Sequence, residues 1–142
     1  MPATAGLGHV NEVSEVTRAD VRVPFKFTVI HGDDPARRSD QHSAITRSLS
    51  LTGLIFDTPK MVWDGFHLSF TEYSFARNSL ELVLDLGKHF GTVDCLAQVE
   101  WYERQTADVF SVGVEFSEMH ADARNVIKRF IEFCIQAGRE KK

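Results

Sequence analysis

The chain has 142 residues, 43% of them hydrophobic and 25% charged, which fits one globular domain with a real core and excludes fibrous and disordered classes. Its net charge of −4 argues against a nucleic-acid polymer as partner. No apolar run approaches the roughly 18 residues of a membrane helix, and residues 1–13 carry no cationic start followed by an apolar stretch, so the expected location is cytoplasmic and without a membrane span.

Residues 1–15 are Ala/Gly/polar and read as a flexible arm ahead of a domain over 16–137. Next comes a cation-rich stretch. From 18 to 47 the chain has Arg18, Arg22, Lys26, Arg37, Arg38 and Arg47 against Asp20, Asp33, Asp34 and Asp40, a local +2 that leaves −6 for the rest. Arginine excess on an acidic protein suits a small anionic ligand better than a polymer, although a solvated charged loop gives the same composition. Within it, Val23, Phe25, Phe27 and Val29 alternate with Pro24, Lys26 and Thr28, the period of a strand with one buried face. His31-Gly32-Asp33-Asp34-Pro35 then reads as a turn, with Arg37 and Arg38 in the loop that follows.

Further along, Ser48-Leu49-Ser50-Leu51-Thr52-Gly53 runs into the apolar strand Leu54-Ile55-Phe56. Asp57-Thr58-Pro59 and Asp64-Gly65 are turns. The aromatic stretch from Gly65 to Asn78 (Phe66, Phe70, Tyr73, Phe75) reads as a covering flap or extra hairpin, with a partner-binding surface as the sharper alternative. Leu80, Leu82, Leu84 and Leu86 alternate with Glu81, Val83 and Asp85. After a turn at 87–91, Cys95, Ala97, Val99 and Trp101 alternate with Leu96, Gln98, Glu100 and Tyr102, and Phe110, Val112, Val114 and Phe116 alternate with Ser111, Gly113 and Glu115. Trp63 and Trp101 read as packing residues. At the end the period changes: Ala123, Val126, Ile127, Phe130, Ile131 and Cys134 recur every three or four residues, an amphipathic helix with Asp122 in its first turn and an end near Gly138. Residues 138–142 form a charged tail. Some six antiparallel strands followed by one helix point to a small barrel plugged or flanked by that helix.

Catalytic and metal chemistry find no support. The six histidines are scattered without ligand spacing, Glu100 and Glu115 fall on solvent-facing strand positions, and there is no Gly-x-Ser-x-Gly elbow or Walker loop. The chain reads as a non-enzyme, with no metal and no cofactor. Cys95 and Cys134 lie within apolar patterns, as buried thiols do.

Two constellations remain. Arg18-Ala19-Asp20-Val21-Arg22 leads into the first strand, and Ser48 to Gly53 leads into the strand at 54–56. An arginine fork donates paired hydrogen bonds to a phosphate or to the O6/N7 edge of guanine, and its face stacks on a purine. Serine hydroxyls and a glycine suit a place where backbone approaches something closely. The RxxxR pair, then [Asp/Asn]-x-Ser-x-x-Gly some 25 residues later, then Ala97-Gln98-Val99-Glu100-Trp101 and Val112-Gly113-Val114-Glu115-Phe116, in this order and ahead of a C-terminal helix, resembles the PilZ domain family over roughly residues 16–135.

That resemblance implies a mainly β fold, a six-stranded antiparallel split β-barrel with a C-terminal α-helix. It implies a bacterial receptor for cyclic di-GMP that changes conformation on binding and signals to a protein partner not identifiable from the sequence. The ligand-binding set would be Arg18, Arg22, Ser48, Ser50 and Gly53, with Arg37, Arg38 and Arg47 as additional candidates. Arg18 and Arg22 would grip guanine and phosphate as their segment orders against the barrel; Ser50 would bond the ligand, and Gly53 would permit a tight turn. Ser48 departs from the family pattern, and loss of its Asp or Asn contact would cost about 1–3 kcal/mol, a ten- to hundredfold weakening. The departure keeps open a second reading, a divergent PilZ domain that binds no nucleotide and serves as a protein–protein module.

Overall fold

The computed structural model describes residues 17–72, 74 and 76–140. The expected arm over 1–15, Tyr73, Phe75 and the last two residues of the expected tail lie outside them.

Six strands close into an antiparallel barrel: β1 (Pro24–Ile30), β2 (His42–Leu49), β3 (Gly53–Thr58), β6 (Ser79–Asp85), β7 (Thr92–Thr106) and β8 (Val109–Glu118), in the order β1-β2-β3-β8-β7-β6. Closure leaves no edge strand to template aggregation. The inward positions are those the alternation marks: Phe25, Phe27 and Val29 from β1, Leu80, Leu82 and Leu84 from β6, and Val112 and Val114 from β8 are all buried. β2 was not read as a strand, because the side chains it turns inward are His42, Ala44 and Thr46 while its Ile45 is exposed.

Each mouth of the barrel has its own plug. At one end a two-stranded hairpin, β4 (Val62–Trp63) and β5 (Phe66–His67), turns through Asp64 and Gly65 at φ 54° and 83°, the doubly left-handed geometry of a two-residue hairpin turn. Met61 and Leu68, on either side of the hairpin, are in the core, and the Trp63 ring meets Phe27 edge-on at 5.5 Å. Asn78 ties this end together. Its Nδ2 donates to the carbonyls of His67 (2.7 Å) and Phe70 (3.2 Å), and its Oδ1 accepts from Gly32 N–H at 2.9 Å. A hairpin does sit at this end, but it spans 62–67: among the described residues of the aromatic stretch 65–78, only Phe66 and His67 are in a paired strand.

The other mouth is covered by the helix α1 (Ala121–Glu140). Ile127, Phe130 and Ile131 are buried in the core. Arg124 Nη1 donates to the Leu51 carbonyl in the β2–β3 turn at 3.1 Å, and Phe130 meets Phe90 of the β6–β7 turn edge-on at 5.4 Å. The helix continues past Gly138 to Glu140, so residues 138–140 of the expected tail are helical: the cost of one glycine, about 1 kcal/mol, does not end a helix anchored by its apolar face. Among the described residues no helix is long and apolar enough to cross a membrane.

Candidate functional site

The arginine pair sits beside the helix-covered mouth. Ahead of β1 the chain runs antiparallel to the last residues of β2. Ala19 and Leu49 exchange backbone hydrogen bonds of 2.9 and 3.0 Å, Thr46 N–H donates to Val23 O, and Thr46 Oγ1 accepts from Val23 N–H while donating to Val21 O. The segment is thus a pinned extension of the sheet, not the mobile clamp expected around Arg18 and Arg22. Pairing fixes its faces: Ala19 and Val23 are buried, while Arg18, Asp20 and Arg22 point outward. Neither guanidinium makes a hydrogen bond or ion pair among the described residues, and both are exposed.

The serine–glycine turn beside them is built differently from what its motif suggests. Ser50 is 1% exposed, and its Oγ accepts from Thr52 N–H and Gly53 N–H at 3.2 Å each while lying 3.2 Å from Thr52 Oγ1. The hydroxyl that was expected to bond a ligand therefore shapes the turn. Gly53 is required by the sheet: a Cβ there would fall 1.9 Å from the Val114 carbonyl oxygen on β8. Ser48 is 5% exposed, and its Oγ is sealed from solvent without a hydrogen-bond partner among the described residues. An orphaned buried hydroxyl is uncommon, and it occupies the position where the family motif carries an acid or amide.

Ser48 nevertheless belongs to the outer wall. It pairs with Ile55, Ile55 with Gly113, and Gly113 with Trp101; because Leu54 and Phe56 face the core, this row faces out. Trp101 was expected to share the inner face of Cys95, Ala97 and Val99. A bulge at Glu100 instead advances the register, from Val99 opposite Val114 to Trp101 opposite Gly113, and turns the indole outward. The ring lies on Gly113, where a Cβ would meet Trp101 Nε1 at 2.2 Å, and it remains 38% exposed. A glycine inside an apolar strand was the available signal, since it marks close approach by another group. In the next row, Asp57 pairs with Ser111 and Ser111 with Glu103. Arg47, bulged out of β2 between Thr46 and Ser48, reaches Asp57 with Nη1 3.5 Å from Oδ1.

Arg37 and Arg38 are not brought to this site. Arg38 bridges Ile30, the last residue of β1, six residues from Pro24, or about 20 Å along a strand. There Arg38 pairs with Glu81 at 3.7 Å, and Arg37 lies over the Phe66 ring at 5.8 Å. The cation-rich stretch is contiguous in sequence but divided between the two ends of the barrel.

Both cysteines are free; burial, with Asp94 nearby, pushes the Cys95 thiol up to about 12, and burial raises that of Cys134. No group of three or more His, Cys, Asp or Glu among the described residues could hold a metal ion.

The family model of the PilZ domain matches residues 17–133. The chain belongs to the PilZ domain family. Three solved PilZ-type folds illustrate the likeness. MrkH of K. pneumonia in complex with c-di-GMP is 18% identical at a TM-score of 0.63, covering 89% of this chain and 54% of that one. The inhibitor of motility MotI/DgrA of Bacillus subtilis is 16% identical at 0.59, covering 88% and 51%. YcgR of Escherichia coli in complex with c-di-GMP is 14% identical at 0.57, covering 88% and 47%. This PilZ chain thus spans about half the length of each, and at these identities the likeness is one of fold. No curated protein matches the sequence.

Proposed function

We propose that this PilZ domain is a receptor for cyclic di-GMP, bound on the outer wall of the barrel beside the helix-covered mouth, and that the altered surface is read by a protein partner. The observation that carries the reading is the outward-facing pair Arg18 and Arg22, exposed and without partners among the described residues, on a segment pinned to β2. Immobilised backbone beneath long unpaired cations lowers the ordering cost of binding a dianionic ligand, and two arginine forks suit its phosphates and guanine edges. In this reading Ser48, Ser50 and Gly53 belong to the site as its foundation: they set the turn and the close β3–β8 approach that present the arginines, and Arg47 extends the cationic row. Structures of MrkH and YcgR in complex with c-di-GMP support the ligand class.

One observation favours a second reading. The Ser48 hydroxyl is sealed and the Ser50 hydroxyl is engaged in its turn, as suits a PilZ domain that serves as a protein–protein module without nucleotide. Titration calorimetry with cyclic di-GMP at about 50 micromolar protein separates the two. The receptor reading predicts measurable binding heat with a Kd on the order of micromolar; absence of heat at that concentration contradicts it and leaves the module reading.

A further inference from the structure

A guanine presents two kinds of group along its edges: the acceptors O6 and N7, and the donors N1–H and N2–H₂. Arginine satisfies only the acceptors. A site that selects guanine needs a hydrogen-bond acceptor as well, and the position of the motif that carries one holds Ser48, whose hydroxyl is sealed within the wall. The receptor reading therefore leaves one half of guanine recognition without a residue.

Asp57 on β3 fills that gap. Ser48 pairs with Ile55, so Asp57, two residues on and facing the same way, is its diagonal neighbour, at about 7–8 Å between backbones. Its carboxylate is built in from below: Ser111, 1% exposed, donates its hydroxyl to Oδ1 at 2.8 Å. Arg47 lies beside it, with Nη1 3.5 Å from the same oxygen. The Asp57 side chain is still 42% exposed, so the carboxylate is oriented on its inner side and open on its outer side. An arginine and a carboxylate held side by side present donors next to an acceptor, the complement of a guanine edge. Adenine offers an amino group where guanine has O6, and an arginine fork cannot accept from it.

We infer that Asp57, with Arg47 alongside, is the guanine-selecting element of this PilZ domain, supplying from β3 the acceptor that β2 lacks. The inference rests on the receptor reading above. Asp20 is the competing carboxylate, since the register that pairs Ala19 with Leu49 sets it across from Ser48. Asp20 is exposed, however, and no buried donor fixes it among the described residues.

The test is calorimetric titration of the wild type and of Asp57→Ala, Asp57→Asn and Asp20→Ala with cyclic di-GMP and, for comparison, cyclic di-AMP. Asp57→Ala is expected to weaken cyclic di-GMP binding at least about tenfold while leaving cyclic di-AMP binding no weaker, so the preference for guanine narrows by the same factor. Asp57→Asn, which keeps an acceptor for both Ser111 and guanine, is expected to recover most of the loss; Asp20→Ala keeps the wild-type preference. A general loss of structure would weaken both ligands together, and the preference ratio distinguishes it. An unchanged ratio in Asp57→Ala, or a loss that appears in Asp20→Ala instead, overturns the inference while the receptor reading stands. A wild type that binds neither ligand overturns both.

Discussion

The two ends of this barrel carry similar residues and use them differently. At the hairpin end several polar groups are matched within the protein, although Ser69 Oγ is buried without a partner among the described residues. Asn78 joins three backbone groups, Asp64 accepts from His42 Nε2 at 2.7 Å and from Asp40 N–H at 3.0 Å, Arg38 faces Glu81, and Arg37 stacks over Phe66. At the helix end Arg18 and Arg22 project from a pinned backbone with their charges unmatched among the described residues. Satisfied polar groups stabilise a mouth that has only a short hairpin to close it. Unmatched arginines on a rigid support contribute little to stability and are available to a ligand.

The sharpest test of what holds the fold is Gly53→Ala. A methyl group 1.9 Å from the Val114 carbonyl forces β3 and β8 apart, and the expected loss is about 3 kcal/mol or more, read from urea unfolding. Near-wild-type stability would mean that the strand approach relaxes freely, and that the glycine serves something other than the sheet.

Asn78→Ala comes next. It leaves the Gly32 N–H and the His67 and Phe70 carbonyls without their side-chain partner, for an expected loss of roughly 2–3 kcal/mol. Because the damage lies at the hairpin end, ligand affinity of the folded fraction is expected to stay unchanged. A parallel loss of affinity would show that the two ends are coupled.

A smaller effect is expected from pH. The hydrogen bond from His42, followed by that from Asp40 N–H, holds the Asp64 carboxyl below its usual range. A carboxyl more acidic in the folded than in the unfolded state contributes stability above the unfolded value, near 3.9, and loses it as pH falls through the lower folded value. Burial also lowers the pKa of His67, so its contribution is present above about 6.5 and declines below it. Both act in one direction: stability falls on acidification, modestly from about pH 6.5 and further below about pH 4. Unfolding midpoints of wild type and Asp64→Asn across that range check the second step, which the variant is expected to lack.

Much of this was legible in the sequence, and the failures have physical causes. β1, β6 and β8 announce themselves because their inward positions are large and apolar, and the helix does so by its three-and-four spacing. β2 escapes because a barrel wall beside a plugged mouth can turn His42, Ala44 and Thr46 inward. Trp101 was assigned to the wrong face because one bulged residue, Glu100, inverts the alternation after it. The motif order brings Arg18, Arg22, Ser48, Ser50 and Gly53 together in the fold, but not the environment of each: whether a serine hydroxyl is open or engaged in its own turn depends on donors such as Thr52 N–H and Gly53 N–H, which the folded turn brings to Ser50. Arg37 and Arg38 were candidates by proximity in sequence, and the length of β1 carries them to the opposite end.

That separation gives the most direct test of the central claim, that the arginines of the helix end bind ligand and those of the hairpin end do not. Cyclic di-GMP is titrated into wild type, Arg22→Ala and Arg37→Ala, with stability checked for each. The account predicts an affinity loss of at least about tenfold for Arg22→Ala, the worth of one charge-assisted contact, with wild-type affinity for Arg37→Ala. Equal losses in both, or a loss confined to Arg37→Ala, would contradict it.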